Sequence, residues 1–222
     1  MQSTSKVSVL MAVYNTDFNL VKRAIDSVFH QDHQNFELII IDDGSKNDTQ
    51  NLLLNYAIIH EEKVIYIRTK NCGQSEALNK GVVNSSGDFI TILDADDEYK
   101  VHHLSSCLLE MEEADLIAST TETVVDTEDD FYVPDKNNHQ ILIHVDECIL
   151  FATLFGKREV FCNLKFKGKY AADAAFYELS AQKYKVKKVN LNTYIYYRNM
   201  PNSICSVLKR KHQSANLESM DV

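Results

Sequence analysis

Short, almost unbroken apolar runs alternate with helical patterns across the first hundred residues, and this alternation narrows the possible folds more than any other feature. Val7-Ser8-Val9-Leu10-Met11-Ala12-Val13 lacks the polar/apolar alternation of a strand with one wet face. It reads as a strand buried on both sides, as in a parallel sheet covered by helices. Leu20, Val21, Ala24, Ile25, Val28 and Phe29 then recur at helical spacing, with Thr16 or Asp17 available as a cap. Further strands are expected at Glu37–Ile41, Val64–Ile67 and Phe89–Leu93, and further helices at Gln50–Ile59 and Gln74–Val83. Strand and helix in this order build βαβ units with right-handed crossovers. The 222 residues suit one domain. A chain of this length buries roughly 70% of its unfolded surface, enough for a layered core.

Beyond Asp97 the pattern loosens. Val101, Leu104, Leu108 and Met111 predict a helix, Leu116–Ser119 and Thr123–Val125 short strands, and Asp126–Gln140 an acidic loop or excursion. Cys148–Phe155 and Ala174–Tyr184 read as helices, Val186–Val189 and Thr193–Tyr197 as late strands. The expected class is α/β and Rossmann-like: a mainly parallel central sheet flanked by helices, with a smaller C-terminal portion. Residues 1–222 form a single domain with halves at 1–100 and 101–206, followed by a tail at 207–222 open to disorder.

Charge and cysteine usage exclude several functions. The net charge of −9 disfavours nucleic acid, whose binding rests on neutralising phosphates. It admits an anionic small molecule only where a metal or local cations offset repulsion. The five cysteines are scattered without a CxxC pair, so zinc and redox motifs lack support, and reduced thiols are expected. Polar Met1–Lys6 leads straight into a strand, so no secretory leader is expected. The apolar stretch Cys148–Gly156 is far shorter than the ~20 residues a membrane span needs, so no transmembrane segment is expected either.

Ligands of open parallel sheets bind outside the carboxyl ends of the strands. The residues there are Tyr14, Asn15 and Asp17; Asp42 and Asp43; Arg68 to Asn71; and Asp94, Asp96 and Asp97. About six carboxylates thus gather along one edge. Packed carboxylates repel and raise one another's pKa unless a cation or hydrogen bonds offset them. A divalent ion with oxygen ligands, Mg²⁺ or Mn²⁺, is the simplest remedy, and a nucleoside diphosphate would complete its shell. An Asp-Asp-Gly-Ser or an Asp-x-Asp alone is more often an acidic turn. Both together, each directly after a buried strand, favour the functional reading.

Five stretches carry a family likeness: Val9 to Asn15, Ile41 to Ser45, Asn71-x-Gly73, Ala77 to Gly81, and Gly87-Asp88-Phe89-Ile90-Thr91-Ile92-Leu93-Asp94-Ala95-Asp96-Asp97. In this order and spacing the chain resembles the inverting family 2 glycosyltransferases of GT-A fold, from Val7 to roughly Ser206. The resemblance makes 1–100 the nucleotide-sugar half and 101–206 the acceptor and catalytic-base half. It places Ala12, Tyr14, Asn15 and Asp43 around the nucleoside, with Lys70, Asn71 and Asn79 lining the same pocket. Asp94 would approach the ribose or metal, Asp96 would be the principal ligand of Mn²⁺ or Mg²⁺, and Asp97 would hold the loop. Asp173 aligns with the position of the base that deprotonates the acceptor hydroxyl. Ala172, however, stands where a glutamate is usual, and an Asp at a helix start also serves as a cap. Arg198 and Ser203 are candidate phosphate contacts, with a surface salt bridge equally open for Arg198. Leu78 replaces a basic residue of many relatives.

The implied reaction moves a sugar from a nucleotide sugar, UDP-linked on family frequency, to a hydroxyl of a glycan or lipid-linked acceptor in cell-surface glycan biosynthesis. A cytoplasmic location follows, with weak peripheral contact at the cytoplasmic membrane face through Lys209-Arg210-Lys211 as an option over a solvated tail. The competing reading is a degenerate domain that binds the nucleotide sugar without transferring it. A nucleotidyltransferase would want a glycine-rich basic loop after the first strand, which Tyr14-Asn15-Thr16-Asp17 does not supply.

Overall fold

The computed structural model describes residues 4–138, 140–168 and 171–198. The first half follows the expected alternation: β1 (Val7–Val13), α1 (Phe18–Phe29), β2 (Phe36–Asp42), α2 (Thr49–Ile59), β3 (Val64–Arg68), α3 (Gln74–Asn84) and β4 (Phe89–Ile92). All seven residues of β2 and all but one of β1 are buried, which is why neither strand alternates in sequence. β1 pairs in parallel with β2 and β4, and β2 with β3. Asp17 caps α1 by accepting from Asn19 N at 2.8 Å.

The second half adds β5 (Glu98–Tyr99), α4 (His103–Glu110), β6 (Leu116–Val124), β7 (Tyr132–Pro134), β8 (Leu142–His144), β9 (Leu154–Lys157), α5 (Arg158–Asn163), α6 (Ala172–Ala181) and β10 (Val186–Tyr197). Among the described residues the large sheet has eight strands in the order β3-β2-β1-β4-β9-β6-β10-β5. Its parallel part comes from the first half, and the pairings of β9 with β4 and β6 and of β5 with β10 are antiparallel. The class is the α/β, GT-A-like arrangement expected. The chain divides into one unit of Met1–Glu122 and Ile149–Ile195 and another of Thr123–Cys148 and Tyr196–Val222.

Three expectations are corrected. Cys148–Phe155 is not a helix but a short 3-10 turn at Phe151–Thr153 leading into β9. β9 lies in mid-sheet with Leu154 and Phe155 buried, and a short apolar run buried on all sides has no period that separates strand from helix. The late strands are longer than expected: Leu116–Val124 and Val186–Tyr197 are each continuous, the latter through Asn192 at φ 51. The excursion at Asp126–Gln140 holds a 3-10 turn and β7, which pairs with β8 as an antiparallel ladder inside the second unit. In α4 the buried face is His103, Leu104 and Cys107, whereas Val101 is exposed.

Packing of α3 onto the sheet seats the site. Ala77, Leu78 and Val82 join Leu10, Ile39, Ile41, Ile92 and Phe176 in one buried cluster. Leu78 is fully buried there and faces the core. Gly81 permits the close approach, since a Cβ would lie 2.8 Å from Ile41 Cδ1 and 3.2 Å from Leu10 Cδ2.

Candidate active site

At the carboxyl ends of β1, β2 and β3 opens a cleft of about 690 Å³, within the range of small-molecule sites. Tyr14 enters from the end of β1, Gly44 and Lys46 from the end of β2, and Arg68 to Asn71 from the end of β3. Tyr14 is 48% exposed and offers a free aromatic face beside three cations in an otherwise acidic chain. The loops are tied together by short polar bonds. Asn15, at φ 53, accepts from Lys46 N at 2.8 Å and donates its own N–H to Ser45 Oγ at 3.0 Å. Gly44 has φ 80, and a Cβ there would stand 2.8 Å from Asn71 N, so this backbone approach demands glycine.

The two aspartates that end β2 are both committed to the protein. Asp42, fully buried, accepts from Ser45 N (2.8 Å), Tyr66 OH (2.7 Å) and Arg68 Nη1 (2.9 Å). Asp43 accepts from Cys72 N (2.9 Å), Gly73 N (2.8 Å), Asn71 Nδ2 (3.2 Å) and the Cys72 thiol (3.1 Å). These bonds fold 71–73 against the cleft.

Gln74, directly after this loop, donates from Nε2 to Asp94 Oδ1 at 2.9 Å. The Asp94–Asp97 turn is closed by Asp97 N donating to Asp94 O at 3.2 Å. Buried Tyr194 braces it, accepting from Asp94 N at 3.2 Å and donating to Asp97 Oδ2 at 2.7 Å. Arg23 donates to the Asp96 carbonyl and pairs with Glu98 at 3.0 Å. Asp173 lies in the first turn of α6, where its carboxylate accepts from Ala174 N (2.8 Å) and Phe151 N (3.2 Å).

Electrostatics single out two carboxylates. Burial, then the charges of Asp96 and Asp173, push Asp94 up to about 7 against the Gln74 hydrogen bond. Burial also raises Asp96, against its own backbone N–H and the Arg23 charge. Asp94 therefore feels the negative charges of both Asp96 and Asp173. Among the described residues no three His, Cys, Asp or Glu side chains form a ready metal cage. Two mutually repelling carboxylates nonetheless suit Mg²⁺ or Mn²⁺, which take one or two protein carboxylates and complete their shell with phosphate and water.

The edge shared by six carboxylates is thereby corrected. Asp17 caps α1, Asp42 is matched by Arg68 and Tyr66, Asp43 by loop N–H groups, and Asp97 accepts from Tyr194. Asn79 is not in the cleft. Its Nδ2 donates to Phe166 O at 2.9 Å and its Oδ1 accepts from Phe166 N at 3.0 Å, so both halves of the amide fasten α3 to that segment. Ala12 pairs with Ile41 in the sheet and packs on the core rather than lining the cleft. Arg198 belongs to the second unit, where its buried guanidinium donates to Asp130 O at 3.0 Å instead of standing ready at the surface. Ser203 and the Lys209-Arg210-Lys211 cluster lie outside the described residues. Lys46, Gln74, Arg23 and Tyr194 were not foreseen, because each reaches the site through a loop, helix or strand placement that no motif marks.

Comparison with known proteins agrees with this architecture. Residues 8–173 match the family described as Glycosyl transferase family 2. An uncharacterized glycosyltransferase of Rickettsia felis is 42% identical over 118 residues, covering 53% of this chain and 19% of its own length. The chain thus spans only a fraction of the curated relatives it matches. Among solved structures, TarS of S. aureus in complex with UDP-GlcNAc superposes with TM-score 0.69 at 18% identity, over 91% of this chain and 60% of that one. The mannosyltransferase PcManGT of Pyrobaculum calidifontis, in complex with GDP-Man and Mn²⁺, gives 0.66 at 16% identity over 90% and 58%. At such identities these likenesses speak for the fold alone.

Proposed function

The chain belongs to glycosyl transferase family 2, and from that premise we propose that it transfers a sugar, with inversion, from a UDP-linked donor to a hydroxyl of a glycan or lipid-linked acceptor. The observation that carries this reading is the bond from Gln74 to Asp94, which joins the Asp94–Asp97 turn to the loop that lines the cationic cleft, with the charges of Asp96 and Asp173 acting on Asp94.

In this reading Tyr14 offers its ring to the base, while Lys46 and Lys70 bring positive charge toward the diphosphate. Asp96, with Asp94, would hold Mn²⁺ or Mg²⁺, which as a Lewis acid offsets charge on the leaving diphosphate. Asp173 takes the proton of the acceptor hydroxyl as that oxygen bonds the anomeric carbon and the carbon–diphosphate bond breaks. For a lipid-linked acceptor we place the chain at the cytoplasmic face of a membrane. Among the described residues no helix is long and apolar enough to cross one.

Melting with UDP, GDP or CDP, each with and without Mn²⁺, tests donor binding. At a hundredfold excess over Kd, a bound nucleotide adds about 2.7 kcal/mol, or roughly 5–10 °C. If none of the three shifts the transition, the reading fails. Asp173→Asn should keep the shift and lose about 10²–10⁴ in transfer. A wild type that binds UDP-sugar but never releases UDP would instead be a binding module, the reading that Ala172 favours.

A further inference from the structure

Gln74 touches the carboxylate cluster, yet the proposed chemistry gives it no part. It is the first residue of α3 and its amide donates to Asp94 Oδ1 at 2.9 Å. Both ends of its backbone are fixed. Gly73 before it is held by Asp43 at 2.8 Å, and Ala77, Leu78 and Gly81 behind it are packed on the sheet. The amide therefore projects from rigid framework.

The chemistry of the pair is informative. A lysine or arginine here would neutralise Asp94, and a glutamate would repel it. A neutral amide instead fixes one oxygen without pairing the carboxylate to a cation of the protein's own. Such a bond restricts the rotamers that a carboxylate would otherwise sample, so that less ordering remains for the moment of binding.

Resting on the glycosyltransferase reading, we infer that Gln74 is a positioning residue: it holds Asp94 ready for the divalent cation of the nucleotide complex. It does so without touching the nucleoside. Loss of an outer hydrogen bond of this kind typically weakens metal affinity 10–100-fold.

The test compares wild type, Gln74→Met (same reach, no donor) and Gln74→Asn (a donor one methylene too short). Mn²⁺ binding is read from the free-ion EPR signal at saturating UDP, and UDP binding without metal by calorimetry. Both variants should raise the Mn²⁺ dissociation constant about tenfold or more. The metal-free UDP affinity should hardly move. If wild type binds no Mn²⁺, the metal reading itself fails and the inference falls with it. If wild type binds Mn²⁺ and both variants bind it equally well, only the role of Gln74 is overturned. An equal loss of metal-free UDP binding would also overturn it, since Gln74 would then merely brace the 71–73 loop.

Discussion

Replacing Tyr194 by phenylalanine removes one hydroxyl from beneath the Asp94–Asp97 turn and leaves the ring in place. The ring is fully buried and packs edge-on against Tyr99 at 5.6 Å, so its packing survives the change. Two bonds are lost: the donation to Asp97 Oδ2 at 2.7 Å and the acceptance from Asp94 N at 3.2 Å. Burial, with the charge of Asp97 beside it, raises the Tyr194 phenol well above its ordinary range, so the hydroxyl is protonated and donates at any working pH. A hydrogen bond to a charged acceptor contributes about 1.5–3 kcal/mol and a neutral one about 1 kcal/mol. Asp97 is itself 1% exposed, so water does not replace the lost donor. The expected loss is about 3 kcal/mol, a large share of the stability of a domain this size, and roughly 6–12 °C in Tm. Urea titration should show a lower midpoint at unchanged slope. A cycle with Asp97→Asn should return a coupling of at least about 1 kcal/mol. A loss under about 1 kcal/mol, or a coupling near zero, would refute the claim that this hydroxyl braces the turn.

Gly44→Ala places a Cβ against Asn71 N and Thr69 O at a φ of +80, both backbone atoms of the cleft wall. It should cost about 1–2 kcal/mol in stability and weaken UDP binding in calorimetry; unchanged affinity would count against the cleft as the nucleotide site. Stability should also fall in acid. Burial opposes ionisation of Glu37, but hydrogen bonds from Lys6, Ser8 and Ser86 outweigh it and lower the carboxyl from 4.5 to about 2. A depressed carboxyl stabilises fully above its unfolded value and loses that stabilisation as pH drops through 4.5 toward 2, about 3 kcal/mol in all. Burial, then the charge of His102, lowers His103 from 6.5 to about 3, so its neutral form stabilises above 6.5 and the benefit fades between 6.5 and 3. Urea midpoints at a series of pH values check both windows. Glu37→Gln should flatten the lower one, and a pH-independent midpoint from 7 to 3 would contradict both assignments.

The first half of the fold was legible because burial on both faces writes itself into composition: β1 and β2 could hardly be anything else. The second half was less so. β9 is four residues long, and Leu154 and Phe155 carry no period, so its neighbours in the chain suggested a helix. The hairpin of β7 and β8 stayed hidden because Tyr132–Pro134 and Leu142–His144 are too short to show alternation above an acidic background.

The carboxylates show a different limit. Sequence tells which aspartates end strands, but not which are already satisfied, because the partners come from register and distance. Asp42 meets Arg68 only because β2 and β3 pair with those two residues opposite each other. Asp97 meets Tyr194 across 97 positions, and half of the bonds that Asp43 accepts come from backbone N–H groups, which every loop possesses. An aspartate that the protein has already matched gives no reason to invoke a cation. With those set aside, Asp94 and Asp96 stand out: burial raises both despite the hydrogen bonds they accept, and the charge of Asp173, from the other half of the chain, acts on Asp94. Six carboxylates on one edge argued for a metal by number. In the proposed reading these argue for it by position, since two carboxylates raised by burial stand with the residue proposed to take the acceptor proton.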